Sequence, residues 1–365
     1  MNGRERIRAI LNGRPADRVG FWLGNPADAT TDVYCEQLGI ADAGAVAATE
    51  NSHDALLLAS KSGPRDLRLH LAMGSDFMWC SPDVHGSCWN HPEGKPMFDV
   101  LGGRLRESLS QAGVFADCVD VREVERFEWP NSDYLDFAAT LERIEGAAAH
   151  GMAIFGGMWM PFFHVVMNFF GMESYFLKMY TDPLVVEAVT EKVLEFYLEA
   201  NRRCLDLMAG KLDAGFFGND FGSQLDLLIS PAAFKRFVLP HFQRIIDQLK
   251  SYELKVVLHS CGAIAKVIPF LIDAGVDALH PLQAKAVGMD AETLAREFKG
   301  KVVFIGGVDT QDLLPFGTPE QIASEVRRLK DVFGEGFVVS PSHEAILPNV
   351  SLENAIAMRD AALET

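Results

Sequence analysis

From about residue 150 onward the chain repeats one unit: a short apolar run, a polar tip, then an amphipathic helix. The runs are Met152–Met158, Ala214–Phe217, Lys255–Leu258, Val276–Leu279, Lys301–Ile305 and Phe337–Val339. They are rich in Val, Ile, Phe and Leu, as strands of a parallel sheet buried on both faces must be. Helical patterns separate them. Pro183–Met208 carries Val186, Val189, Val193, Phe196 and Tyr197 at three-to-four spacing behind Asp182, with proline in its first turn. Ser230-Pro231 opens a helix running to Leu249, Ile264–Ala274 ends at Gly275, and Asp290–Phe298 ends near Gly300. Thr318-Pro319-Glu320 begins one that ends near Gly334, and Ser351–Ala362 closes the series. Such alternation implies βαβ units.

The residues at the end of each run constrain the fold further. Ala214–Phe217 runs into Gly218-Asn219-Asp220-Phe221-Gly222-Ser223-Gln224, and Lys255–Leu258 into His259-Ser260-Cys261-Gly262. The next three end in His280-Pro281-Leu282-Gln283, Gly306-Gly307-Val308-Asp309 and Ser340-Pro341-Ser342-His343-Glu344. An open doubly wound sheet gathers polar groups mainly at one switch point, whereas a closed barrel brings every strand tip to one mouth. Five polar tips in succession predict the ring. No G-x-G-x-x-G follows an early strand and no G-x-x-x-x-G-K-[ST] occurs, so dinucleotide and P-loop readings fail. The expected fold is one (β/α)₈ TIM-barrel domain over residues 1–365, with an N-terminal helical extension. Asp17–Leu23 and His53–Ala59 read as further strands, and Val84–Trp129, with Gly102-Gly103, as a β-hairpin insertion.

Charge narrows the partners. Fifty acidic residues against 33 basic ones give a net charge of −17, which repels phosphate backbones and anionic headgroups. Neither nucleic acid nor a membrane surface is an expected partner. Charges interrupt Met1–Ile7, so no secretory leader is expected there, and no run approaches the ~18 apolar residues that span a bilayer. Six cysteines (Cys35, Cys80, Cys88, Cys118, Cys204, Cys261) are too sparse for a disulfide framework. A cytoplasmic setting is expected, in which a working cysteine binds metal or catalyses.

His259 and Cys261 are two apart, so a continuing strand points both to the barrel interior. Imidazole plus thiolate is a zinc-type pair needing further ligands. His343 is the best third, and Asp220, Glu344, water or substrate could complete the set. The competing reading makes Cys261 a small buried filler and His259 a satisfied hydrogen-bonder. Asp76, in Met73-Gly74-Ser75-Asp76-Phe77-Met78-Trp79, is either a substrate-binding catalytic carboxylate with a perturbed pKa or a turn residue. Asp309, behind two glycines, either meets a ligand or caps the next helix. Trp159, Phe162, Phe163, Phe169 and Phe170 either wall an aromatic substrate or pack the core.

These ordered segments resemble the uroporphyrinogen-decarboxylase superfamily, in particular its decarboxylase-like and corrinoid-methyltransferase branches. The resemblance rests on Arg4-Glu5-Arg6, Asp17-Arg18-Val19, Gly74-Ser75-Asp76, Trp129-Pro130, Asp220 to Gln224 with Ser230-Pro231, and His259-Ser260-Cys261-Gly262. It continues through Ala274 to Asp277, Pro281-Leu282-Gln283, Gly288-Met289-Asp290, Gly306 to Asp309 and Pro341-Ser342-His343. True decarboxylases of this type carry an N-terminal M-R-Q-A-G-R segment whose arginine grips substrate carboxylates. Here Gly20-Phe21-Trp22-Leu23-Gly24-Asn25-Pro26 holds no arginine, which argues against a polycarboxylated tetrapyrrole. The methyltransferase branch binds zinc through H-x-C and a later cysteine. His259 and Cys261 match the first two, and His343 stands where the last would be.

The resemblance thus implies a zinc-dependent methyltransferase working with a corrinoid on a separate partner protein, on a small methoxy or methylthio substrate or a thiol. It also implies a homodimer. In that reading Asp220 protonates the leaving atom or orients His259, while Gln224, Gln283, Asp309 and Trp159 position substrate. A metal-free decarboxylase using Asp76, and a catalytically silent ligand-binding protein, are the alternatives.

Overall fold

The computed structural model of the protein describes residues 1–40, 64–84, 86–108 and 111–365. Eight strands appear in chain order: β1 (Gly20–Phe21), β2 (Phe77–Cys80), β3 (Ala153–Gly156), β4 (Ala214–Gly218), β5 (Lys255–His259), β6 (Ala278–His280), β7 (Val303–Val308) and β8 (Phe337–Pro341). All pair in parallel in the order β1-β8-β7-β6-β5-β4-β3-β2. With helices outside, this is a nearly closed (β/α)₈ TIM barrel, as the polar tips require. The expected strand His53–Ala59 lies outside the described residues.

Alternation along each strand decides which side chains meet the mouth. On β5, Val256 and Leu258 pack outward against the helices while Val257 points inward. The same phase turns Ala278 of β6 and Phe216 of β4 inward. Trp22, Phe77, Phe155 and Phe216 fill the interior, with Trp22 and Phe77 stacked at 4.8 Å and Phe77 and Phe155 at 4.0 Å between ring centroids. The barrel is therefore a packed core with a floor, not a pore.

β1 and β2 are the two ends of the strand order, and side chains join them. The Asp76 N–H donates to the Phe21 carbonyl at 2.8 Å, and the Phe21 N–H donates to Asp76 Oδ2 at 2.8 Å. Arg6 and Arg18 also donate to this carboxylate. One residue earlier, Ser75 Oγ accepts the Leu23 N–H at 3.1 Å and lies 3.0 Å from His70 Nδ1.

The helices follow their end signals. Pro183–Met208 spans 26 residues, and Thr318 forms a capping box with Gln321 at the start of Pro319–Phe333. Gly275, at φ 107°, ends Ile268–Ala274. The helix expected from Ser230-Pro231 is interrupted. Pro240 has no N–H to donate, and the Leu239 N–H reaches the Phe234 carbonyl across a π turn at Phe234–Val238 before Leu239–Ser251 resumes. The expected β-hairpin between Val84 and Trp129 does not form among the described residues. Gly94, Gly102 and Gly103 all hold positive φ and sit in local turns, such as Gly94 N–H to His91 and Gly102 N–H to Asp99, while the longer backbone bonds (Val114 N–H to Val100, Asn90 N–H to Tyr134) are isolated and form no strand pair. Among the described residues no helix is long and apolar enough to cross a membrane.

Candidate metal centre

His259 ends β5 two residues beyond the inward Val257, so its ring faces the interior at the mouth. Cys261 repeats that phase. The tip of β4 is fastened to both, because the Cys261 N–H donates to Asp220 Oδ1 at 2.8 Å and the Asn219 N–H to the His259 carbonyl at 3.0 Å. Asn219, fully buried, also accepts the Phe163 N–H and donates to the Met160 carbonyl, tying the loop after β3 to the same point. Asp220 Oδ1 comes to 3.3 Å from His259 Nε2, and Cys261 Sγ to 3.5 Å from the same nitrogen. These three ligand atoms lie within 4.8 Å of one another.

The other face of the His259 ring meets a second set. Its Nδ1 is 3.1 Å from His280 Nδ1 and 3.6 Å from Glu344 Oε2. Glu344 Oε2 and His280 Nε2 are buried without a hydrogen-bond partner. His343 belongs to neither set. Its Nδ1 accepts the Ala345 N–H at 3.1 Å and stands 3.7 Å from Glu344. Of the expected candidates, Asp220 is the one whose ligand atom groups with those of His259 and Cys261, while His343, expected as the third, lies outside both groups. The chain has left the strand after Pro341, so period-two phase no longer governs which residue turns inward, and Glu344 is the one that does.

The electrostatics suit a cation. Burial alone would lower the His259 pKa, but Glu344 and Asp220 more than offset it, and the pKa rises. Burial pushes the Cys261 thiol well up, and the two carboxylates add to the effect. Burial opposes ionisation of Asp220, yet His259, His164 and the Cys261 N–H hold its carboxyl well below the usual range. His280 is driven well down by burial, then by His259 and His343, so it is neutral. His164, beside the β3 loop, is also lowered by burial, with Asp220 opposing. Sequence reasoning gave neither histidine a role. His280 carried a legible signal, being in phase with Ala278 and paired in register with His259.

The sequence profile of the uroporphyrinogen decarboxylase (URO-D) family matches residues 99–365. The chain belongs to that family. A methylated-thiol–coenzyme M methyltransferase of Methanosarcina mazei is 25% identical over 169 residues, 45% of this chain and 41% of that protein. A uroporphyrinogen decarboxylase of Geobacter sp. (strain M21) is 28% identical over 187 residues, 50% of each. A methylcobamide:CoM methyltransferase, MtbA, of Methanosarcina acetivorans is 27% identical over 105 residues, 29% of this chain and 30% of that protein. The matched stretches thus span half or less of these relatives' own lengths. A solved methyltransferase from Methanosarcina mazei superposes over 99% of this chain and 98% of its own with a TM-score of 0.65 at 17% identity, a likeness of fold.

In this URO-D family member the remaining candidates divide. Trp159 stands at the mouth, its ring 5.4 Å from that of His259 and 5.0 Å from that of Trp79. Gln224 donates to Gln283 at 2.8 Å, and Gln283 Oε1 also accepts the Gly262 N–H, so these amides brace the Cys261 loop. A cleft of about 350 Å³ opens beside them, lined in part by Gln283, Thr310, Gln311, Ser342, His343 and Asn349. Asp309 is a cap: its oxygens accept the N–H groups of Gln311, Asp312 and Leu313. Asp76 is not at the mouth. It precedes β2 at the opposite end of the barrel, with its carboxylate on Arg6 and Arg18. Phe162, Phe163, Phe169 and Phe170 are core, as are all cysteines except the half-buried Cys261.

Proposed function

We propose that this URO-D family member is a methyltransferase moving a methyl group between a small methylated substrate or thiol and a corrinoid carried by a separate protein. A zinc ion would be held by His259, Cys261 and Asp220. The observation that carries this reading is the convergence of nitrogen, sulfur and oxygen ligand atoms within 4.8 Å. Nitrogen and thiolate donors suit zinc over harder cations. The relatives named as coenzyme M methyltransferases support the reaction class, and the word methylcobamide in one name supports the corrinoid.

Bound zinc would act as a Lewis acid that makes an oxygen or sulfur a better leaving group or nucleophile. The chain's residues supply the rest. A bound cation would displace the Cys261 thiol proton to solvent, so loading would release a proton. Asp220, held ionised, has no proton to lend at neutral pH; it pins the Cys261 backbone and would offer a carboxylate ligand rather than acting as an acid. Trp159 walls one side of the mouth, the glutamines orient polar groups, and His343 lines the cleft.

The decarboxylase reading is weaker here, because the carboxylate it would use, Asp76, is committed to Arg6 and Arg18. The test is metal analysis of protein purified without an affinity tag. One zinc per chain is expected, with loss in His259→Ala and Cys261→Ala. Wild-type protein that takes up no zinc but releases CO₂ from a carboxylic acid would reverse the assignment.

A further inference from the structure

We infer that His280 is a positioning residue of this centre: it accepts the hydrogen bond that keeps the His259 proton on Nδ1 and leaves Nε2 bare toward Asp220 and Cys261. Its purpose rests on the metal reading above, but its geometry does not.

The two Nδ1 atoms are 3.1 Å apart, a hydrogen-bond distance at which one ring must donate and the other accept. With a cation at Nε2, the remaining proton of His259 sits on Nδ1. Two acceptors face that proton. Glu344 Oε2, at 3.6 Å, lies beyond hydrogen-bond reach and contributes only charge, so His280 is the one that bonds. Donation in the reverse sense would turn the lone pair of His259 Nδ1 toward the Glu344 carboxylate and place an N–H in the position of the metal. Only one direction serves a ligand.

The fold makes this pairing rigid. β5 and β6 run side by side with His259 opposite His280, and the Ser260 N–H donates to the His280 carbonyl at 2.7 Å. The His280 ring is 1% exposed and meets Trp22 and Phe216 at 5.2 and 5.4 Å between centroids. Shape alone would be served there by an apolar ring. A buried imidazole carries a desolvation cost that an apolar ring avoids, and its Nε2 has no hydrogen-bond partner. What the imidazole adds is an acceptor at Nδ1. A group that orients a ligating histidine through its second nitrogen typically changes metal affinity 10–100-fold.

The experiment pairs zinc binding, by competition with a chromophoric chelator, with nitrogen-15 NMR of histidine-labelled protein. His280→Phe keeps the ring and removes the acceptor; His280→Asn restores an acceptor oxygen. We expect His280→Phe to bind zinc about 10–100-fold more weakly than wild type while melting cooperatively, and His280→Asn to recover part of the loss. Wild-type spectra should show the His259 proton on Nδ1, with nitrogen–nitrogen coupling to His280 across the bond. Unchanged zinc affinity in His280→Phe, or a wild-type His259 with its only proton on Nε2, overturns the inference. If wild-type protein takes no zinc, the metal reading fails, and the coupling in metal-free protein still decides the role of His280.

Discussion

The indole of Trp159 lies where a side chain on Gly218 would be. A Cβ added there would overlap the six-membered ring, and β4 cannot retreat because it is bonded to β3 and β5. Gly218→Ala should therefore cost about 1–3 kcal/mol in urea unfolding. The cost should largely vanish in a Trp159→Leu background, where the ring is gone. Equal costs in both backgrounds would mean that Trp159 does not occupy that space. At this scale the sequence was legible where a strand was still running. His259 and Cys261 follow from period two after Val257. His343 and Glu344 differ by one position beyond the strand end, where a loop's backbone, invisible in the residue pattern, decides which one turns inward. His280 was legible by the same phase as His259, but a lone histidine before a proline carries no ligand spacing of its own.

Between β1 and β2 the barrel is joined partly by side chains, and this makes the seam sensitive to pH. Burial lowers the pKa of His70 to about 4, so the folded protein keeps this ring neutral. Ser75 Oγ accepts the Leu23 N–H and shares a hydrogen bond with His70 Nδ1 at 3.0 Å, so the neutral ring is tied into the seam. Between the ordinary histidine value of about 6.5 and about 4, the unfolded chain takes up a proton that the folded chain refuses. Stability should fall as pH falls through that window, by up to about 1.4 kcal/mol per unit from this residue. Denaturant midpoints measured from pH 7 to pH 4 should lose this part of their slope in His70→Leu, at the expense of lower stability at pH 7. An unchanged slope would remove His70 from the account. From the sequence, the seam was the least legible element. Phe77-Met78-Trp79-Cys80 is a strand by composition, but Asp76 beside it reads as a site residue until its two arginines, about 60 to 70 positions away, are seen to meet it. The hairpin expected near Gly102-Gly103 failed for a related reason, since paired glycines mark a turn without saying whether strands flank it.

For the whole molecule, the inference from five polar strand tips to a closed ring held because a barrel gives every strand the same upper end, whereas an open sheet does not. That geometry also has an energetic consequence. Asp220, His259 and Cys261 come from two strand tips joined by a complete helical crossover, and their assembly exists only when β4 and β5 are paired. The unfolded chain keeps only the local pair His259 and Cys261. Zinc should therefore favour the folded state by mass action, by about 2.7 kcal/mol at a hundredfold excess over its Kd. For a barrel of this length that corresponds to a rise in Tm of about 3 °C. Asp220→Asn should shrink the rise, because the neutral amide is a poorer ligand, and His259→Ala should abolish it. A rise that persists in His259→Ala would show that the cation binds elsewhere. Calorimetric scans of chelator-stripped protein, with and without added zinc, separate these outcomes without requiring a substrate, because the readout is the coupling between β4 and β5 that the centre would impose on the barrel.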